Sequence, residues 1–139
     1  MSSDESNIPF AHMVFFTLTD RSMTTRTRFL EACHRYLAGH DGQTHFSVGT
    51  RATEMQRPVN DLSFNVAMHM IFIDKEAYEA YTRDPRHEEF VTATAGLSTD
   101  RRVFDSYLID LPKTYNADHA PNQSDAVNDS MTPQQITEG

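Results

Sequence analysis

The stretch LSFNVAMHMIFI, residues 62–73, decides the fold. Read as an extended strand, it puts Phe64, Val66, Met68, Met70 and Phe72 on one side. Asn65, Ala67, His69, Ile71 and Ile73 fall on the other. Both sides are mostly apolar, which is the signature of a strand covered on two faces rather than one. The stretch FAHMVFFTL, residues 10–18, has the same character. Phe10, His12, Val14, Phe16 and Leu18 alternate with Ala11, Met13, Phe15 and Thr17.

Between these strands lies a helical stripe. Phe29, Cys33 and Tyr36 recur at i, i+4 and i+7 within residues 23–38, with Leu30 and Leu37 beside them. The turn GHDG, residues 39–42, stops that helix, and THFSVGTRA, residues 44–52, reads as a second strand with Gly49 as a bulge. After residue 73, Asp74 can cap a helix over residues 74–81. Pro85 interrupts it and suits the first turn of another. DRRVFDSYLIDL, residues 100–111, is the fourth strand.

The order strand, helix, strand, strand, helix pair, strand predicts an α+β, ferredoxin-like (split βαβ) domain. It has a four-stranded antiparallel sheet with helices on one face. The other face would stay apolar and bare, so a second copy is expected to cover it, closing a dimeric α/β barrel. Residues 10–112 form this domain, residues 1–9 a flexible leader, and residues 113–139 a polar, acidic tail with the composition of disorder.

The 139 residues carry 20 acidic and 12 basic side chains, a net charge of -8. With no basic cluster, neither nucleic acid nor an anionic membrane surface is an expected partner. The one cysteine, Cys33, permits no internal disulfide. The polar N-terminus lacks the features of a secretion signal, so a cytoplasmic location is expected. Among the histidines, His34 and His40 are poorly spaced to share a ligand face, and there is no His-x-x-x-His or paired-cysteine motif. No metal or cofactor is expected.

The segments AHMVFFTL, FNVAMHMIFIDKEAYEAYTRDPRHEEF and RRVFDSYL, in this order, resemble the Dabb family of stress-responsive A/B barrel domains. The resemblance covers residues 10–112 and implies the dimeric α+β barrel, often with no assigned reaction. It also implies a site, because a plant polyketide cyclase of the family works without metal or cofactor through a tyrosine and a histidine six residues later. Tyr81 and His87 match that pair, His12 matches its first-strand histidine, and Asp105 matches an acidic pocket residue. The chain departs from the cyclase at Cys33 and Asp84, and from many relatives at Asn65.

Chemically, a neutral His87 can accept a proton, Tyr81 can donate a hydrogen bond to a carbonyl, and Asp105 can orient the imidazole. Such a trio suits enolisation, cyclisation or isomerisation. A plainer reading has Tyr81 and His87 packing at a helix junction. The expected pocket is small, apolar and set between sheet and first helix. His12, Val14, Phe29 and Met68 would line it with Tyr81 and His87, around a small apolar or carbonyl-containing ligand. A cofactor-free monooxygenase of a related dimeric-barrel family is the remaining alternative.

Overall fold

The computed structural model describes residues 8–110. The elements run β1 (Phe10–Leu18), α1 (Met23–Leu37), β2 (Gln43–Thr50), β3 (Val66–Phe72), α2 (Lys75–Arg83), α3 (Pro85–Ala93) and β4 (Ser98–Tyr107). The antiparallel sheet has the order β2-β3-β1-β4, the ferredoxin-like arrangement predicted from the sequence. The two strands with two-sided apolar character, β1 and β3, are its central pair. The expected tail, and most of the expected leader, lie outside the described residues.

All three helices pack on one face. Phe16 of β1 meets Phe29 of α1 edge-on at 4.7 Å, and Phe29 in turn meets Phe90 of α3 at 5.7 Å. Phe72 of β3 contacts Tyr78 and Tyr81 of α2. Val66, Met68, Met70 and Phe72 are fully buried in this layer together with Phe29, Cys33 and Leu37. Burying each such side chain stabilises the fold by about 1.5–3 kcal/mol, so this layer is the main source of stability.

No helix among the described residues lies on the other sheet face. Met13 and Phe15 of β1 stand beside Ala67 and His69 of β3 and beside Phe104 and Arg102 of β4. Phe15 packs edge-on against Phe64 and Phe104, at 5.0 and 5.7 Å, and Arg102 lies over the Phe104 ring. This apolar cluster is ordered within one chain yet leaves Phe104 51% exposed.

The bounds of β3 and β4 differ from expectation. β3 begins at Val66 rather than residue 62, because the Asn65 side chain accepts the Leu18 N–H at 2.7 Å and ends the regular ladder there. β4 starts at Ser98, directly after the turn at Gly96, and stops at Tyr107. Gly49 is no bulge and pairs in register with Ala67. The irregularity sits at Gln43–His45 instead, where the Gln43 side chain is committed to α1. Its amide donates to Leu37 O at 2.9 Å and its oxygen accepts from Gly39 N at 2.6 Å.

Residues 52–62 belong to a separate unit. Taken by itself it is a loop whose turns close through Met55 N–H to Ala52 O and Asn60 N–H to Arg57 O.

Candidate functional site

The site is built where α2 gives way to α3. Asp74 caps α2 by accepting the Ala77 N–H at 2.8 Å. Tyr78 and Tyr81, three residues apart, then fall on the face turned toward the sheet. Asp84 ends α2 and caps α3, its carboxylate accepting the Arg86 N–H at 2.8 Å. Pro85 occupies the first turn. Arg86 donates to the carbonyls of Arg35 and Ala38 at 2.6 and 2.9 Å, tying the start of α3 to the end of α1. This junction brings His87 back against Tyr81, with ring centres 5.0 Å apart and planes at 89°.

Tyr81 is 3% exposed and its ring touches two imidazoles. Besides His87, His40 meets it edge-on at 4.9 Å. His40 is itself fixed by Nε2, which donates to the Tyr36 carbonyl at 2.8 Å. The Tyr81 hydroxyl and the His87 ring nitrogens have no hydrogen-bond partner among the described residues. No buried side-chain nitrogen or oxygen is left unsatisfied among those residues, so these groups open into the adjoining cavity.

That cavity has a volume of about 430 Å³. Its floor is His12, Val14 and Met68 from the sheet, and Tyr81 and His87 lie among its walls. It is set against α2 and α3 rather than the first helix. Phe29, expected on its wall, lies in the core between Phe16 and Phe90, because the α1 face carrying it packs on α3. Leu37 at the end of α1 reaches the cavity instead.

Asp105 corrects a second expectation. Its carboxylate accepts from Nδ1 of His12 at 2.6 Å, not from His87. The strand register explains this, since Asp105 stands directly opposite His12 in the β1–β4 ladder. With Nδ1–H committed to Asp105, Nε2 is the basic nitrogen of a neutral His12 ring. Tyr78 stacks beside that ring at 4.8 Å.

Burial first, and then the neighbouring His12, His40 and Arg101, push the His87 pKa below its ordinary value of 6.5, with Glu88 opposing. His87 is therefore neutral at pH 7. Burial, reinforced by Tyr78 and Cys33, raises the Tyr81 pKa, so Tyr81 keeps its proton. Tyr78 is raised for the same first reason, helped by Asp105 and Glu79. The Cys33 thiol is pushed up to about 12 by burial, which makes it a core group and not a nucleophile. Among the described residues, no three His, Cys, Asp or Glu side chains cluster so as to hold a metal ion. No helix among them is long and apolar enough to cross a membrane.

Sequence reading missed Tyr78, Val103, Thr94 and Arg101, all of which line the cavity. Tyr78 was accessible to it through the three-residue spacing to Tyr81. The others come from a turn and an edge strand whose register no local pattern reveals.

The fold and the cavity together define a ferredoxin-like α+β domain with one ligand-sized cavity face and one bare apolar face. The chain belongs to the stress responsive A/B barrel domain (Dabb) family, whose model matches residues 10–108. It is similar to a Dabb family protein with a ferredoxin-like fold from Mesorhizobium loti, at 24% identity and a TM-score of 0.63, over 74% of this chain and 99% of that one. A dimeric ferredoxin-like protein of unknown function from Thermobifida fusca gives 14% identity and a TM-score of 0.62, over 73% and 92%. A hydroxynitrile lyase from Passiflora edulis gives 14% and 0.61, over 76% and 97%. No curated protein matches the chain.

Proposed function

We propose that the protein is a homodimer whose bare sheet face packs on a second copy, and whose cavity holds a small, largely apolar molecule through its carbonyl group. The observation that carries this reading is the inner wall of the cavity. There the Tyr81 hydroxyl and the His87 ring lie together without hydrogen-bond partners among the described residues, above a floor that includes the apolar Val14 and Met68. A cavity of about 430 Å³ suits a small ligand, and a few convergent polar groups in an apolar wall are what such sites use for orientation. The dimeric Thermobifida fusca neighbour supports the assembly. The lone buried cysteine suits the reducing cytoplasm as its compartment.

A second reading extends the first to catalysis, favoured by the protonation states. A neutral His87 can take a proton from the carbon next to the carbonyl, while Tyr81 donates its hydrogen bond to the developing enolate oxygen. The proton then returns from His87 to the same or another carbon, and no cofactor enters the balance. His12, oriented by Asp105, supplies a second basic nitrogen on the cavity floor.

The two readings separate in one experiment. Acetophenone is titrated into the protein in D2O and followed by NMR. Shifts of the His87 ring resonances, lost in Tyr81→Phe, report binding. Deuterium uptake at the methyl group above the buffer rate, falling about 100-fold or more in either variant, reports proton transfer. Binding with uptake at the buffer rate leaves a binding protein. No perturbation by acetophenone, simple phenols or short-chain ketones overturns the pocket reading altogether.

A further inference from the structure

We infer that the cavity selects small organic acids, with Arg101 at its rim receiving a carboxylate while the ligand's carbonyl meets Tyr81 and His87 further in. This rests on the ligand-binding reading above and adds the ligand's charge to it. The two consecutive arginines of β4 are sent to opposite faces by the strand's alternation. Arg102 stands opposite Phe15 on the bare face, stacked over Phe104. Arg101 stands opposite Phe16, on the helix side, and lines the cavity.

Three observations converge on Arg101. First, it has no carboxylate partner among the described residues; Asp105 and Glu79 pair instead with His12 and Lys75. In a chain with 20 acids against 12 bases, carboxylates are not scarce, yet none among the described residues is set against this guanidinium. Second, among the described residues no aspartate or glutamate lines the cavity, and Arg101 is the permanently charged group in its lining. Asp105, the acid nearest along the strand on that side, is committed to His12. Ser98 adds a hydroxyl to the same lining, and the turn at Gly96 carries no side chain to crowd it. Third, the Arg101 charge is felt at His87, where it adds to burial and to His12 and His40 in disfavouring protonation, against Glu88. The cation at the rim and the base on the wall therefore share one space.

A guanidinium presents a planar fork that binds a carboxylate through two parallel hydrogen bonds. A bound carboxylate would also cancel the Arg101 field at His87, so an acid should raise the His87 pKa where a neutral ligand of the same shape does not.

The test compares 3-benzoylpropionate with its primary amide, both titrated by NMR into the wild-type protein, Arg101→Gln and Arg101→Lys. Arg101 is exposed on an edge strand, and a thermal melt of each variant verifies that it folds. The wild type is expected to bind the acid about tenfold more tightly than the amide. Arg101→Gln should erase that preference, and Arg101→Lys should restore part of it. The His87 titration midpoint should rise with the acid and stay put with the amide. Equal affinities in the wild type, or an unchanged preference in Arg101→Gln, overturn the inference and leave the pocket reading standing. Failure of acid, amide and acetophenone alike removes the pocket reading and this inference with it.

Discussion

Replacing Phe104 with alanine should break the proposed dimer while leaving each subunit folded. Phe104 sits on the bare face of the sheet and is 51% exposed in the single chain. A phenylalanine side chain offers about 200 Å², so about 100 Å² per copy remains to be covered by a partner. At about 25 cal/mol per Å² this is about 2.5 kcal/mol per copy, or about 5 kcal/mol for a two-fold interface. Alanine keeps its Cβ, which lowers the expected loss to about 4 kcal/mol, or a dissociation constant about a thousandfold weaker. Sedimentation equilibrium across nanomolar to high micromolar concentrations reads this directly. Met23→Ala is the control, because Met23 is equally apolar and still more exposed but lies on α1, on the helix side. An unchanged dissociation constant in Phe104→Ala, or a wild type that stays a single subunit at micromolar concentration, would refute the reasoning.

Two further outcomes follow from local geometry. Gly42 holds φ at +78°, and a Cβ there would come within 2.6 Å of the Ala77 Cβ on α2. Gly42→Ala should therefore cost about 2–4 kcal/mol, from left-handed strain plus overpacking, and lower the melting temperature by about 10 °C or more in calorimetry. His87 has a folded pKa below its unfolded value of 6.5, so the unfolded chain binds its proton first as pH falls. Its contribution to stability is intact above pH 6.5 and declines from there toward the folded pKa. Urea titrations from pH 7.5 to 5 should show a slope that His87→Gln flattens. Parallel curves for the two proteins would remove His87 as the source.

The fold was legible because its main evidence is periodic. Alternation in residues 10–18 and 66–72, and the Phe29–Cys33 helical stripe, each report a buried surface regardless of what lies across it. The Tyr81–His87 pairing was legible because one short junction, Asp84–Pro85, makes it, and both caps and proline carry local rules. The partner of Asp105 was not, because it depends on the register of β4 against β1, and that register is set by sheet assembly rather than by either strand alone. Phe29 was misplaced for a similar reason. Its burial follows from the stripe, but whether it meets cavity or core depends on how α1 and α3 cross. Arg101 and Arg102 look alike in sequence, and only their register gives them different surroundings.

The alternation along β1 divides its residues between two faces. His12 and Val14 line the cavity, while Met13 and Phe15 lie on the bare face that the proposed dimer would cover. Specificity and quaternary structure can thus diverge independently under point mutation, since each is written on its own set of positions. A single-residue insertion or deletion in that strand would instead exchange the two sets at once, so the segment should tolerate substitution far better than any change in its length.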